Sequence, residues 1–410
     1  MLWLYNLALF FYHQAIYLAA AFHPKARQWV EGRKHIFEQI PQGPHHQLSI
    51  WMHCASLGEF EQGRPIIESL RQQLPNCFIV LSFYSPSGYE IRKNYAQVDH
   101  VCYLPTDTAT HAYRFIEKMH VDLAIFVKYE FWYHHLSALH QARIPTVLIA
   151  ALFRPQQVFF RFYGGFFRTM LHQFDQIFLQ NQSSVPLLEN IQIQRYQVVG
   201  DPRVDRVLQN AQSPQALPLI ENFAKGHRVI VAGSTWPEDE RLLLPFINQH
   251  LPSDWKVIIA PHEIHPKQLS TLEAQLQLPH QRYSAAQQSL DSVRVLIIDN
   301  IGLLAMIYRY GHLAYIGGGF GRGIHNTLEP AAFGLPLLFG PKYQSFTEAV
   351  TLVEDKGAFV IKEVADFQKV FVHLQSATVY EQAQQAINNY LNANRGATEQ
   401  IVNCLTLFIM

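Results

Sequence analysis

Three groups of residues in this 410-residue chain are of the types that perform acid–base or anion-binding chemistry. The first lies in Ala55-Ser-Leu-Gly-Glu-Phe-Glu-Gln-Gly63, directly after an apolar run. A carboxylate at a strand end points into a crevice and Gly58 permits a tight turn beside it, so Glu59 is a candidate general base. A helix-capping or solvated acid is the competing reading, and Glu61, nearer the helix start expected at Pro65, fits that reading better. The second group is Val127-Lys-Tyr-Glu-Phe-Trp132, at the end of another expected strand. Glu59 and Glu130 at one rim would divide base and substrate-orienting roles, whereas a Lys128–Glu130 pair would be merely structural. The third group is Gly317-Gly-Gly-Phe-Gly-Arg-Gly-Ile-His-Asn-Thr-Leu-Glu-Pro-Ala-Ala332. It fails G-x-G-x-x-G because Arg322 takes the place of the third glycine, and it lacks the Gly-Lys-Ser/Thr of a P-loop. Glycines after a strand still let a backbone approach a ligand closely. Asn326 is a candidate N-cap for a helix whose free N–H groups would receive a phosphate, and Glu329 would accept hydrogen bonds from two ribose hydroxyls. The alternative is an Asn326–Glu329 capping pair.

Other chemistries are less well supplied. His262 and His265 in Pro261-His-Glu-Ile-His-Pro266 stand at i, i+3, without the H-E-x-x-H spacing or an evident third ligand, so no metal site is expected. There is no Asp-x-Asp, which favours metal-free transfer chemistry. Cys54, Cys77, Cys102 and Cys404 form no C-x-x-C pair and read as free thiols of a reducing compartment. The 32 Lys and Arg balance 32 Asp and Glu, which argues against a nucleic-acid partner held by phosphate neutralisation.

The elements that must position these residues follow from periodicity. From Gln47 onward short β-branched or aromatic runs alternate with helical patterns, the signature of βαβ units around parallel sheets. Strands are expected at residues 49–55, 78–83, 100–104, 123–127, 146–150, 176–179 and 196–199. A Gln- and Pro-rich stretch around residues 209–218 reads as a linker. A second series follows at 228–232, 256–260, 293–298, 313–316, 337–339 and 359–361. The fold class is therefore α/β, with two Rossmann-like domains facing a cleft, at residues 25–205 and 227–378. A linker at 206–226 joins them and a helical tail occupies 379–410.

The first 24 residues contain no Asp, Glu, Lys or Arg. A helix of about 21 residues at about 1.5 Å each is long enough for a bilayer core of about 30 Å, although Asn6, His13 and Gln14 interrupt it. A signal peptide lacks its basic n-region here, and a helix packed on the body is the structural alternative. A membrane-anchor helix over residues 1–24 is expected, with Lys25, Arg27, Arg33 and Lys34 keeping the body on the cytoplasmic side. The Phe- and Arg-rich run 153–168 would make a second lipid contact through Phe159, Phe160, Phe166 and Phe167, with Arg154, Arg161 and Arg168 meeting head groups. A buried helix with snorkelling arginines is its alternative.

Taken in order, Trp51-Met-His-Cys-Ala-Ser-Leu-Gly-Glu59, Leu104-Pro-Thr-Asp107, Tyr129-Glu-Phe-Trp132, Val199-Gly-Asp201, Ala232-Gly-Ser-Thr235, His325-Asn-Thr-Leu-Glu-Pro330 and Phe339-Gly-Pro341 resemble the 3-deoxy-D-manno-octulosonic acid (Kdo) transferases of lipopolysaccharide synthesis. The resemblance implies a GT-B glycosyltransferase that moves Kdo from CMP-Kdo onto the lipid A precursor, lipid IVA, at the cytoplasmic face of the inner membrane, among its lipids and without a cofactor. It implies that Glu59 is the proton acceptor and that Glu130 is required. It carries CMP contacts over to Pro261 and His262, to Ile301, Gly302 and Leu303, and to Asn326, Thr327, Leu328 and Glu329. Four positions depart from the family pattern: His262 for Arg, Ile324 for Gly, Leu303 for an acid and Tyr133 for Pro. Arg322 and Lys342 are candidates to restore the charge lost at His262.

The expected mechanism is an inverting, metal-independent displacement at the anomeric carbon with Glu59 as base. Two other readings stand beside it: another GT-B nucleotide-sugar enzyme of envelope synthesis or a sugar epimerase, and a non-catalytic sugar-nucleotide-binding membrane protein.

Overall fold

The computed structural model describes residues 1–212, 215–286 and 290–409. The chain forms two compact units, Met1–Asp205 with Asn394–Met410, and Arg206–Ala393.

The first unit is built on a parallel sheet of β1 (Ser49–Cys54), β2 (Phe78–Phe83), β3 (His100–Tyr103), β4 (Leu123–Val127), β5 (Thr146–Ala151), β6 (Gln176–Leu179) and β7 (Tyr196–Val198), in the order β3-β2-β1-β4-β5-β6-β7. Its central strands are buried on both faces, as parallel sheets flanked by helices must be. Side chains alternate between two cores: Trp51, Val80 and Phe126 enter one, while Ile50, Met52, Leu81 and Ile125 enter the other.

The second unit repeats the plan with β8 (Arg228–Thr235), β9 (Trp255–Pro261), β10 (His280–Arg282), β11 (Val295–Ile297), β12 (Leu313–Ile316), β13 (Leu337–Phe339) and β14 (Ala358–Val360), ordered β10-β11-β9-β8-β12-β13-β14. Every expected strand is present to within three residues at its ends, the largest difference being β8, which runs on to Thr235. The short polar edge strand β10 was not expected.

Three local expectations change. The helix after β1 begins at Leu57, not Pro65, and runs to Gln73 with Pro65 inside it. Gly63 lets that helix lie close on the sheet, since a Cβ there would stand 2.8 Å from Met52 Sδ and 3.2 Å from Val127 Cγ2. The stretch 206–226, read as a linker, holds the end of helix Pro202–Gln212 and a helix at Pro218–Ala224 whose Ile220 and Phe223 are buried. Residues 213 and 214 of that stretch lie outside the described residues. The tail divides: helix Ala397–Ile409 buries Ala397, Ile401, Val402 and Leu405 in the core of the first unit, while Ala383 of the preceding helix belongs to that of the second.

The membrane-spanning anchor is not supported. Residues Leu2–Ala19 form a helix of 18 residues, about 27 Å, and no helix among the described residues is long and apolar enough to cross a membrane. Its half-buried positions, Tyr5, Leu9, His13, Ile16 and Ala20, recur at helical spacing and form one face. Its contacts with the body include polar and aromatic ones. Tyr5 Oη donates to Asp107 Oδ2 at 2.7 Å, Asn6 Oδ1 meets His134 Nε2 at 2.7 Å, and the His13 ring packs 5.4 Å from Trp29. In the 153–168 run, Phe159 is buried in the core, Phe160, Phe166 and Phe167 are half-buried against it, and Phe162 and Tyr163 are the exposed aromatics.

Candidate functional site

In a doubly wound sheet, ligands sit outside the carboxyl ends of the strands where the strand order reverses. In the first unit that point lies between β1 and β4, and the segments leaving those two strands carry Glu59 and Glu130. Glu59 stands in the first turn of the helix that Ser56 caps, and its Oε2 accepts the backbone N–H of Ala55. Burial, reinforced by the charge of Glu130, pushes its carboxyl from an ordinary 4.5 up to about 8, against the pull of the Ala55 N–H and of Lys128. A carboxyl poised there suits a general base working near neutral pH.

Glu130 is only 7% exposed. It follows Lys128, whose backbone takes the left-handed conformation (φ 65°) and turns the chain at the end of β4. Glu130 Oε2 accepts from Trp132 Nε1 at 2.7 Å and meets His53 Nε2 at 2.9 Å. His53, fully buried in β1, is joined through Nδ1 to Ser82 Oγ at 2.8 Å, and that hydroxyl also accepts Trp51 Nε1–H at 2.8 Å. Sequence reasoning quoted His53, Trp51 and Trp132 within motifs without assigning them a task, and it passed over Ser82. The available signal was a histidine in a strand that must be buried on both faces.

Asp107 ties the rim together. It accepts the backbone N–H groups of His134 and His135 at 3.1 and 3.0 Å, His135 Nδ1–H at 2.6 Å and the hydroxyl of Tyr5. Burial alone would raise its pKa, but these donors outweigh it and hold the carboxyl below its ordinary value. The segment following Glu130 and the N-terminal helix are thus fastened to one carboxylate.

In the second unit the order reverses between β8 and β12. Backbone packs on backbone here: a Cβ on Gly317 would fall 2.1 Å from Ser234 O near the end of β8, and one on Gly319 would fall 2.6 Å from the backbone of Gly340, which follows β13. These two glycines therefore serve chain packing, whereas Gly318 supplies a positive φ of 91°. Asp239 at the start of the helix after β8 accepts the N–H groups of Trp236 and Gly318 and the hydroxyl of Tyr315, locking both segments. Trp236 Nε1 donates to His325 Nε2 at 2.9 Å with the two rings 10° from parallel, and the His262 ring stacks on both at 4.6 and 4.4 Å. Burial and the neighbouring His262 lower the His325 pKa to about 4, so His325 is neutral at physiological pH.

All the residues to which CMP contacts were carried over lie at the end of a strand of this sheet or in segments that follow its strands. Pro261 ends β9 and His262 follows it. Ile301 (88% exposed), Gly302 (φ 95°) and Leu303 precede the short helix Leu304–Ile307 in the segment after β11. Asn326 Nδ2 donates to Glu329 Oε1 at 2.9 Å while its Oδ1 accepts the Leu328 N–H at 3.0 Å, so the capping pair is formed. Thr327, not Asn326, is the N-cap residue, of a helix only four residues long, Leu328–Ala331. Thr327 Oγ1 is buried without a hydrogen-bond partner among the described residues. Lys342 Nζ donates to Gly321 O at 2.8 Å, and Arg322 is exposed.

The family described as 3-deoxy-D-manno-octulosonic-acid transferase (kdotransferase) matches residues 28–206, a span that contains both Glu59 and Glu130. The 3-deoxy-D-manno-octulosonic acid transferase of Rickettsia prowazekii is 26% identical over 348 residues, covering 80% of this chain and 72% of its own. That of Haemophilus influenzae is 24% identical over 387 residues, covering 90% and 88%. The chain is a relative of the Kdo transferases. Among solved structures, a UDP-GlcNAc 2-epimerase from Neisseria meningitidis aligns with a TM-score of 0.61 at 15% identity, covering 88% of this Kdo-transferase relative and 100% of the epimerase. MurG of Acinetobacter baumannii aligns with a TM-score of 0.57 at 14% identity, covering 88% and 99%. At these identities the two structures speak for the fold alone, the paired α/β units of GT-B glycosyltransferases.

Proposed function

We propose that this chain transfers Kdo from CMP-Kdo to the lipid A precursor lipid IVA, with inversion, without a metal, and with Glu59 as general base. The observation that carries the reading is the pair Glu59 and Glu130 at the switch point of the first sheet, with the Glu59 carboxyl raised to about 8. Glu59 takes the proton of an acceptor hydroxyl as that oxygen bonds to the anomeric carbon of Kdo. The bond from that carbon to the phosphate oxygen breaks, and CMP leaves with the electron pair through an oxocarbenium-like transition state. Glu130 orients the acceptor. The segments of residues 261–262, 301–303 and 326–329 hold the donor, and Arg322 supplies positive charge where the family has arginine in place of His262.

The helix Leu2–Ala19 lies in the cytoplasmic interface of the inner membrane. Support comes from its exposed Trp3, Phe10, Phe11 and Leu18, opposite the docked face of Tyr5 and His13. Transfer from CMP-Kdo to a lipid A precursor tests the reaction. Glu59→Gln is expected to lower kcat by about 10²–10⁴-fold, the range of a lost general base. Full activity in that variant removes Glu59 as base, and transfer from a UDP-sugar in place of CMP-Kdo removes the donor assignment.

A further inference from the structure

The donor contacts that the resemblance implies begin at Asn326, and His325 stands one residue before them. Its backbone N–H donates to Gly317 O at 3.1 Å, directly after β12, so the residue lies where the strand order reverses. Trp236 reaches the same point from β8, which ends at Thr235. Asp239 Oδ2 accepts the backbone N–H groups of Trp236 and Gly318 at 2.9 and 2.8 Å, and this ties the two segments together.

The bond between the two side chains has one possible direction. An indole offers an N–H and no acceptor, so Trp236 Nε1 donates and His325 Nε2 accepts, at 2.9 Å. A neutral imidazole carries a single ring proton, which is then on Nδ1. Protonating Nε2 would set two donors against each other, and burial and His262 also oppose the charged ring. Nδ1 has no hydrogen-bond partner among the described residues, and the side chain is only half-buried. His262 holds the pair flat: its backbone N–H donates to Thr235 O at 2.9 Å, and its ring stacks on both Trp236 and His325.

An N–H donor without a partner therefore stands at the ligand-binding point of a doubly wound sheet. The charges around it favour an anion. Arg322 is exposed on the same loop, and Lys342 Nζ is bonded to Gly321 O. The acids bonded into these segments have donors of their own: Asp239 accepts three, Glu240 accepts the Thr235 hydroxyl and Glu329 accepts Asn326 Nδ2.

We propose that His325 donates its Nδ1–H to a phosphate oxygen of the bound sugar nucleotide, and that Trp236 is a positioning residue that holds His325 in the tautomer able to do so. The assignment rests on the reading of the second unit as the half that holds the donor, but not on which base the donor carries.

Two measurements on the full chain test it. The first is long-range ¹H–¹⁵N spectroscopy of histidine-labelled protein, with the His325 signals assigned by their loss in His325→Asn. Between pH 6 and 8 they should show Nδ1 protonated and Nε2 bare. CMP should shift the Nδ1 signal, and cytidine, which lacks the phosphate, should not. A ring protonated at Nε2, or an Nδ1 signal that CMP leaves in place, overturns the proposal. Trp236→Phe keeps a ring in the stack and removes the N–H. Its tautomers should mix, and CMP affinity should fall about 2- to 5-fold with the share of rings still protonated at Nδ1.

The second measurement is the affinity for CMP and for cytidine. His325→Phe should weaken CMP binding about 10- to 100-fold, the value of one hydrogen bond to a charged group, and leave cytidine binding unchanged. His325→Asn, whose amide N–H replaces Nδ1–H, should recover most of that loss. Equal losses for CMP and cytidine mark a merely structural histidine and overturn the proposal. So does a loss confined to KM for CMP-Kdo and absent from CMP affinity, which would assign the bond to the sugar carboxylate. If wild type binds UMP in place of CMP with the same dependence on His325, the donor assignment fails and the His325 bond stands; if it binds neither, both fall.

Discussion

Glu59→Gln should stabilise the protein above neutral pH while slowing transfer by about 10²–10⁴-fold. The Glu59 pKa rises from 4.5 in the unfolded chain to about 8 in the fold, chiefly through burial and then through Glu130. Between these values the folded protein holds a proton that the unfolded chain has released. Folding is therefore unopposed by this group below about pH 4.5 and is progressively penalised as pH rises through 8. A rise of about 3.5 units, at about 1.36 kcal/mol each, bounds the penalty near 5 kcal/mol. Glu59 retains some contact with water, so about 2–3 kcal/mol is the working figure. Glutamine fills the same volume, still offers an oxygen to the Ala55 N–H, and carries no charge for Glu130 to repel. Urea unfolding at pH 5 and pH 9 reads the difference. Wild type and variant should have nearly equal midpoints at pH 5. At pH 9 the variant should unfold about 1 M later, taking a denaturant slope of about 2–3 kcal/mol/M for a unit of this size. An offset independent of pH would refute the reasoning, as would a wild type that gains on the variant as pH rises, because either would mean that Glu59 ionises in the fold without penalty.

Two further outcomes are expected. Gly317→Ala would drive a Cβ to within 2.1 Å of Ser234 O at the switch point of the second sheet, where backbone cannot yield cheaply. It should cost about 3 kcal/mol or more, read as a lowered Tm, and CMP affinity should fall with it if the segments after β8 and β12 hold the donor. Changing Trp3, Phe10, Phe11 and Leu18 together to Ser should remove most flotation of the protein with anionic vesicles, since each exposed apolar side chain contributes about 1.5–3 kcal/mol when buried in lipid. Unchanged flotation would show that the outward face of this helix is not the lipid contact.

The strands were legible because a parallel sheet covered on both faces demands nearly continuous apolar runs. Leu123–Val127 and Leu337–Phe339 show this plainly, and the edge strand His280-Gln-Arg282 escaped notice because it is free of that demand. Glu59 was legible as the carboxylate after the first strand, but its helix was placed eight residues late. Pro65 reads as a first-turn proline, and only the packing of Gly63 on Met52 and Val127 shows that the helix already runs beneath it. The glycines at 317 and 319 were read as ligand approach and proved to be backbone approach, a distinction that depends on which neighbouring segment passes by. The N-terminal helix misled for a related reason: composition reports how apolar a segment is, not that Tyr5, Asn6 and His13 all turn toward the body.

What sequence could not supply at all is the support of the two glutamates. Trp51, His53, Ser82, Glu130 and Trp132 come from three separated segments and meet only because β1 lies between β2 and β4. The same strand order that creates a switch point for substrate therefore also buries a polar chain directly behind it. A histidine in β1 that no solvent reaches must find partners on the adjacent strands, and here those partners run from a donor-only indole to a carboxylate at the rim. The sheet thus fixes two things at once: the positions of Glu59 and Glu130 along the rim, and the buried partners that each carboxyl meets there.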